Sequence, residues 1–240
     1  MKKLEKLEIL YEDKDLLMVN KPAGLYSIPD RYQTEKDNLL WWLWARDENI
    51  IPVHRLDRDT SGVICYARHP EAHHLLNTQF EERQVKKVYW ALLSGSPVPA
   101  EGEINKPISD TPGTPGKMRI HADGKPSLTY YQLMVKYQQF SLVEMKPQTG
   151  RTHQIRIHSQ SIGHPLAIDP VYGTRDKILL SDFKKKYKHA LDEERPLMNR
   201  LSLHASSLML IHPFSGQPLK VSAPLPKDFS VLLHQLNKWG

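Results

Sequence analysis

Cysteine is almost absent from this chain of 240 residues, in which Cys65 stands alone. A single thiol excludes an internal disulfide and any metal cluster that depends on several cysteines. The residues around it are mostly apolar, in the run Val63-Ile64-Cys65-Tyr66-Ala67. This pattern indicates a thiol buried in a strand and argues against a catalytic nucleophile.

Long apolar runs are lacking too. No stretch approaches the length of about 20 residues that a membrane-spanning helix needs. The amino-terminal segment Met1-Lys2-Lys3-Leu4-Glu5-Lys6 is charged, but the apolar run of a secretion signal does not follow it. The sequence therefore predicts a cytoplasmic protein.

Motifs for nucleotides and metal ions are missing as well. The chain has neither a G-x-G-x-x-G fingerprint nor a Walker loop. His153 and His158 stand five residues apart, and His73 and His74 are adjacent. Neither pair has the spacing that presents two imidazoles to one ion from a helix. We therefore expect no metal ion.

Positive charge is in moderate excess, with 33 lysines and arginines against 27 acidic residues and a formal net charge of +6. Such a surface suits a polyanion, although many basic proteins bind none. The segment 174–200 holds eight basic and five acidic residues, which is about half of the excess. Apolar residues recur there at helical spacing after Ser181, which predicts a helix over 179–194. It is either a phosphate-contacting helix or a solvated surface helix.

The apolar pattern predicts an α+β fold, with a mixed, mainly antiparallel β-sheet core in two lobes and peripheral helices. Ile9–Asp13 and Leu16–Asn20 form a predicted hairpin. Further strands are predicted at Val63–Arg68, Val85–Leu93, Thr129–Lys136, Phe140–Lys146, Leu203–His212 and Leu219–Ala223, and helices after Pro70, near Thr152 and at Asp228–Lys238. We expect one catalytic domain over 1–240, with a core at about 9–224 and a basic helical insertion at about 174–200.

Two other segments carry distinct patterns. Ser109–Lys125 is rich in proline and glycine, which predicts an exposed, mobile loop. Leu39–Trp44 follows Asp37 as a possible N-cap, and its dense apolar residues predict a buried helix. The alternative is that the three tryptophans of this helix form a platform on which bases stack.

The segment His54-Arg55-Leu56-Asp57-Arg58-Asp59-Thr60-Ser61-Gly62 places an acidic side chain among cations, beside a predicted turn of Thr60, Ser61 and Gly62 that can fix it. Asp57 is expected to stay ionised, because Arg55 and Arg58 favour the charged form and the N–H groups of a tight turn can hydrogen-bond it. A nucleophile or a charge-stabilising carboxylate is built in this way. The alternative is a turn capped by Asp59 and Thr60, with the cations as solvated surface.

Matching segments follow in order along the chain. They are Lys87-Val88-Tyr89-Trp90-Ala91, Gly150-Arg151-Thr152-His153-Gln154-Ile155-Arg156-Ile157-His158, Leu203-His204-Ala205 and His212-Pro213, with a weaker upstream match in Asn20-Lys21-Pro22-Ala23-Gly24-Leu25. Together with the segment around Asp57, this set resembles the RluA-like family of pseudouridine synthases. The resemblance runs from about Ile9 to about Pro224.

The resemblance implies a reaction, the isomerisation of uridine to pseudouridine in RNA. The N-glycosidic bond is broken, the uracil turns, and its C5 is joined to the ribose C1′. Nothing is oxidised and no group enters or leaves, so no nicotinamide, nucleoside triphosphate or other cofactor is needed. Many relatives carry an extra amino-terminal RNA-binding module. We expect none in this chain and therefore expect the catalytic surface to bind the RNA.

The resemblance also implies catalytic residues. Asp57 is the catalytic aspartate, which attacks C1′ or C6 or removes a proton from C2′. Arg151 lies against Asp57, where its planar guanidinium fixes the carboxylate through charge-assisted hydrogen bonds. Tyr89 packs on the target base and has a polar tip that could assist removal of the C5 proton. Without the resemblance, Arg151 would be interpreted as a surface residue and Tyr89 as a core residue.

Residues of the substrate pocket follow from the same resemblance. Arg55 fills the space left by the extruded nucleotide or contacts a phosphate. Arg58 is expected to contact RNA, and Leu203 is either an apolar wall of the pocket or plain core. His54 is structural in the family. Ile168 stands where the family usually has glycine, so a positive φ there would be strained.

The expected partner is a structured RNA, a ribosomal or transfer RNA stem-loop, whose target uridine is flipped out. The sequence does not say which RNA it is, and a monomer is only a default. The alternatives are a non-catalytic RNA-binding protein or RNA-folding factor on the same scaffold, and a hydrolase that uses Asp57 on another nucleoside bond. Asp57, Tyr89 and Arg151 together favour the synthase, because binding alone needs no arginine-held carboxylate.

Overall fold

The computed structural model describes residues 7–29, 36–184, 187 and 194–240. The strands in this part of the chain are β1 (Ile9–Glu12), β2 (Leu16–Lys21), β3 (Ile51–Pro52), β4 (Ser61–Ala67), β5 (Lys86–Ser94), β6 (Glu101–Asn105), β7 (Ile108–Asp110), β8 (Met118–Ile120), β9 (Leu128–Lys136), β10 (Phe140–Pro147), β11 (Leu203–Ile211) and β12 (Pro218–Ser222). The helices are α1 (Leu39–Trp44), α2 (Pro70–Glu81), α3 (Gln154–Ser161) and α4 (Lys227–Trp239).

The chain divides into two compact units. The first comprises residues 1–88 and 204–224, and the second comprises residues 89–203 and 225–240. The α+β class with mainly antiparallel strands is confirmed. The prediction of one catalytic domain over 1–240 stays a prediction.

The first unit is built on β4, all seven of whose residues are buried. β2 and β3 pair with β4 in antiparallel fashion, and β11 pairs with it in parallel. β1 extends the sheet beyond β2, and β12 pairs with β11. Cys65 lies within β4 as predicted, and burial raises the pKa of its thiol.

Helix α2 begins at Pro70, whose missing N–H is tolerated in the first turn. The N-cap is His69, and its side chain accepts a hydrogen bond from the N–H of Ala72. Ala72 and Leu76 lie on the buried face of the helix, as their spacing predicts.

Helix α1 differs from the prediction of a buried helix. Asn38, and not Asp37, is the N-cap, and its side chain accepts the N–H of Trp41. The leucines of α1 are buried, but Trp41 and Trp44 are 39% and 42% exposed. The indole N–H of Trp44 donates to the carbonyl of Ile50. The prediction was right for the leucines and wrong for these tryptophans, because six residues give only one face to the core.

The second unit contains the antiparallel sheet β5-β10-β9-β6. Alternate residues of β5 point to opposite faces. Leu92 packs in a cluster with Phe229 and Leu232 of α4, while Ala91 and Leu93 pack in another cluster with Ile155 of α3. Two apolar layers therefore cover the two faces of this sheet.

The prediction of a mobile loop over Ser109–Lys125 was wrong for its strands. β7 and β8 form an antiparallel hairpin. Ile108 and Met118 are buried in a cluster with Ile157 and Tyr172. The proline- and glycine-rich loop between the two strands is exposed, as expected.

The structure describes only part of the predicted helix over 179–194. A 3-10 helix covers Leu180–Asp182, whereas Lys185, Lys186 and residues 188–193 lie outside the described residues. None of the helices in the described ranges has the length and apolar character that crossing a bilayer requires.

Candidate active site

Asp57 lies between β3 and β4 in the first unit and is half-buried. The N–H of Thr60 donates to the carbonyl of Asp57 at 3.1 Å, which closes a turn over Arg58 and Asp59. The carboxylate therefore stands at the first position of a tight turn. The sequence had placed the turn at Thr60, Ser61 and Gly62, but Ser61 and Gly62 belong to β4.

The peptide groups on both sides of Asp57 are fixed. Before it, the N–H of Leu56 donates to Oγ of Ser27 at 3.0 Å, and this hydroxyl donates back to the carbonyl of Leu56 at 2.8 Å. After it, the carbonyl of Arg58 accepts the N–H of Gly24 at 2.9 Å. These bonds restrict the backbone from which the Asp57 side chain extends.

Lys21 is the centre of this support. Its side chain is completely buried, and Nζ donates to the carbonyls of Pro22, Leu25 and Arg58 at 2.9, 2.6 and 2.8 Å. A buried ammonium is tolerated only where such acceptors surround it. The sequence resemblance touched Lys21 only as part of a weaker match and gave it no role.

We expect Lys21→Met to lower the free energy of unfolding by about 2 to 4 kcal/mol, because one buried and two partly buried carbonyl contacts lose a charged donor. The rate of the reaction should fall as well, since the Asp57 loop loses its anchor. Chemical denaturation and initial rates measure the two effects. The exposed Lys14 offers a control, and a Lys21→Met variant as stable as Lys14→Met would contradict the anchoring role.

Ser61 and Gly62, the last two residues of the motif, lie against β11. Gly62 has a φ of +116°, and a Cβ placed on it would lie 2.1 Å from the carbonyl oxygen of Ala205 in β11. Only glycine allows the two strands to approach so closely. Ser61 Oγ lies 3.0 Å from Nδ1 of His204, so the later Leu203-His204-Ala205 segment supports the same motif within the first unit.

His54 has a structural environment. Its Nε2 accepts the N–H of Cys65 at 3.0 Å, and its ring stacks on Phe80 with centroids 4.9 Å apart. Burial, and next the charge of Lys87, lower the pKa of His54 to about 3. The imidazole is therefore neutral at physiological pH.

Arg55 and Arg58 are both exposed. The guanidinium of Arg58 forms a bidentate pair with Asp59, through Nε at 3.0 Å and Nη2 at 2.9 Å. The sequence had placed Arg58 as a cation that favours the charged form of Asp57. In the structure Arg58 pairs with Asp59, and its influence on the charge of Asp57 stays a prediction.

Tyr89 and Leu203 come together in the second unit. Leu203 is buried in the apolar cluster that includes Ile155 of α3, and Tyr89 packs against the same cluster. Tyr89 pairs with Met145 across β5 and β10, so it points to the face of the sheet that α3 covers. Both interpretations of these residues stay open, since a pocket wall and a core side chain share this setting.

Arg151 stands in a loop fixed by Gln154. Oε1 of Gln154 accepts the N–H of Arg151 at 3.0 Å and the hydroxyl of Thr149 at 2.7 Å. Nε of Arg151 makes a long hydrogen bond of 3.4 Å to the carbonyl of Pro126. His153, at the N-cap of α3, has a φ of +54°, a rare value for a residue with a side chain.

Arg156 and Asp169 form a buried bidentate pair, at 2.7 and 2.8 Å. Burial alone would raise the pKa of Asp169, but the hydrogen bonds and charge of Arg156 lower it overall. The doubt about Ile168 is resolved, because its φ is not in the positive region. Ile168 is buried core, and its N–H donates to Oγ of Ser202.

One group in the described ranges has metal-ligand chemistry. The ligand atoms of Asp13, Asp15 and His212 lie within 4.8 Å of one another. However, Nδ1 of His212 accepts the N–H groups of Phe214 and Ser215, which leaves the proton on Nε2 to donate to Asp13 at 2.7 Å. These atoms are committed to a hydrogen-bond network.

The predicted site residues thus fall into two sets. Arg55, Asp57 and Arg58 share one loop of the first unit. Tyr89 and Leu203 share an apolar cluster of the second unit, to which Ile155, just beyond the Arg151 loop, also belongs.

Comparison with known proteins decides the family. Residues 15–161 match the model of the RNA pseudouridylate synthase family. The chain belongs to this family. Dual-specificity RNA pseudouridine synthase RluA of Escherichia coli is 38% identical over 221 residues, which cover 91% of this chain and 93% of that protein. Ribosomal large subunit pseudouridine synthase D of Zymomonas mobilis is 36% identical, covering 96% of this chain and 73% of the relative.

A solved structure agrees with the family's fold. Human RNA Pseudouridylate Synthase Domain Containing 4 has a TM-score of 0.73 and 27% identity, over 98% of this chain and 95% of that one. The chain is therefore an RNA pseudouridine synthase, an enzyme that isomerises uridine to pseudouridine in RNA. These comparisons leave the non-catalytic alternative without support.

Proposed function

We propose that Asp57 is the carboxylate on which the isomerisation depends. The observation that carries this proposal is the support of its backbone, because the carbonyls of the residues on either side of Asp57, Leu56 and Arg58, are held by Ser27, Gly24 and the buried Lys21. A reacting group needs such pre-organisation. A capped surface turn has no need of a buried ammonium beneath it.

The reaction that Asp57 serves is balanced within the nucleoside. The bond between N1 and C1′ breaks, the bond between C5 and C1′ forms, C5 loses its proton, and N1 gains one. Asp57 acts as an ionised carboxylate, by attack at C1′ or C6 or by removal of the C2′ proton. Release of the C5 proton is common to all these routes and is the readout of choice.

We further propose that Tyr89 packs on the flipped base, that Leu203 lines the apolar wall, and that Arg151 orients the carboxylate. Arg55 takes the place of the extruded nucleotide, and Arg58 contacts the RNA backbone. These assignments rest on the family resemblance. The packing of Tyr89 and Leu203 in one cluster supports only the placing of these two residues side by side.

Arg151→Lys should lower kcat by about tenfold while KM changes by less than about twofold, because a lysine keeps the charge and loses the planar fork. Steady-state rates of tritium release from uridine labelled at C5 measure both constants. Arg175→Lys is the matched control, since Arg175 lies over Phe140 and beside Asp182. A kcat equal to that of the control would show that the guanidinium fork is dispensable.

We propose that the substrate is a stem-loop of ribosomal or transfer RNA and that the enzyme works in the cytoplasm as a monomer, without metal or cofactor. The relative named for the large ribosomal subunit supports the ribosomal RNA class. Pseudouridine mapping of total RNA from cells with and without the gene tests the proposal. A defined uridine in ribosomal or transfer RNA should lose its modification, and a loss confined to messenger RNA would overturn it.

A further inference from the structure

Tyr26, in the first unit, lies against two cations. The ammonium of Lys36 is 5.4 Å from the centroid of its ring and 3.3 Å from its hydroxyl. The guanidinium of Arg58 is 5.9 Å from the same centroid. The phenol of Tyr26 thus contacts two positive groups, and one of them, Arg58, immediately follows Asp57 in the sequence.

This group is fixed to the catalytic loop. The carbonyl of Tyr26 accepts the N–H of Leu39 at 2.8 Å, which ties it to the start of α1. Lys21 Nζ binds the carbonyls of Leu25 and Arg58, the residues next to Tyr26 and to Asp57. The cations are therefore held at a set place relative to the Asp57 backbone.

Fold stability does not explain the arrangement. Each cation–π contact at an exposed site contributes about 0.5 to 1 kcal/mol, and like charges on one ring repel each other. The carboxylates nearby are engaged, since Asp59 binds Nε and Nη2 of Arg58 and Asp37 accepts the indole N–H of Trp42. The Arg58 side chain is still 50% exposed.

We infer that Tyr26, Lys36 and Arg58 form a subsite for a backbone phosphate of the RNA strand next to the target uridine. The inference deepens the proposed function and depends on it. Tyr26 positions the two cations, the bidentate pair with Asp59 orients the guanidinium plane, and the phosphate would relieve the repulsion between the charges. Because such a contact is independent of base identity, the subsite sets register and affinity rather than sequence.

The test compares variants that lose one positive charge of the subsite with matched controls that lose a positive charge elsewhere. Lys36→Gln and Arg58→Gln each remove one cation of the subsite. Lys14→Gln removes a lysine that lies 5.9 Å over Phe214, and Arg46→Gln removes an arginine whose Nη2 donates to both carboxylate oxygens of Glu12. Steady-state rates are measured on the RNA identified by mapping, between about 50 mM and about 200 mM salt.

Lys36→Gln and Arg58→Gln should raise KM by about three- to tenfold with kcat within about twofold of the wild type, and each should reduce the slope of log KM against log salt by about 1. The two controls should match the wild type. Variants that behave like their controls would overturn the subsite, and so would a lower kcat at unchanged KM. A wild-type protein that forms no pseudouridine would instead refute the proposed function.

Discussion

Asp57→Asn is expected to lower the rate of pseudouridine formation by at least about a thousandfold, because the amide is isosteric but carries no charge and is a poor nucleophile. All three routes open to the enzyme need an ionised carboxylate. The loop is supported by hydrogen bonds that Ser27, Gly24 and Lys21 make to its main chain, so the fold should persist. RNA affinity should stay within about twofold, since the phosphates are bound by other groups.

Tritium release from uridine labelled at C5 measures the rate of the Asp57→Asn variant, and filter binding with the same RNA measures its affinity. Asp123→Asn is the control, because the Asp123 side chain is 91% exposed. Substantial turnover by Asp57→Asn would refute the catalytic role. Loss of RNA binding or of the thermal transition would reassign Asp57 to binding or to folding.

Asp169→Asn is expected to lower the free energy of unfolding by about 3 to 5 kcal/mol, because it leaves the buried guanidinium of Arg156 without its counter-ion. The side chains of Arg156 and Asp169 are only 8% and 0% exposed. Asp169 also accepts the N–H groups of Val171 and Tyr172 through Oδ1. The substitution thus weakens the segment after Ile168 together with α3.

Chemical denaturation tests this expectation against a pair of similar geometry. Asp228 forms a bidentate pair with Arg200 at 2.6 and 2.8 Å, but its side chain is 34% exposed. Asp228→Asn should therefore cost about 1 kcal/mol. Combining Asp169→Asn with Arg156→Met should restore part of the lost stability, because no unpaired charge then remains. Strictly additive losses would show that the two groups do not act as a pair.

Most of the sheet could be predicted from apolar periodicity, which set the hairpin of β1 and β2 and the strands β9 and β10. Helices α2 and α4 followed from spacing and from Pro70. The hairpin of β7 and β8 was not predicted, because strands of three residues with one buried side chain each give no period. The exposure of Trp41 and Trp44 in α1 was not predicted, because hydropathy does not tell which apolar residues are buried in the core.

The sequence predicted individual residues of the site but not the contacts that hold them in place. The motif around Asp57 located the loop, yet the support by Lys21 depends on the Arg58 carbonyl, 37 positions away along the chain, and that contact has no local signature. The pairing of Arg58 with Asp59 was equally invisible, because both carboxylates of the segment were available to it. Composition suggested a polyanionic partner, but only the structure shows that Lys36 and Arg58 both lie against the ring of Tyr26.

The most direct test of the account is complementation with the single change Asp57→Asn. Pseudouridines are mapped in total RNA from cells that lack the gene and carry either the wild type or this variant at equal protein level. The account predicts that the wild type restores the modification at its uridine and that Asp57→Asn does not. Restoration by the variant would contradict it.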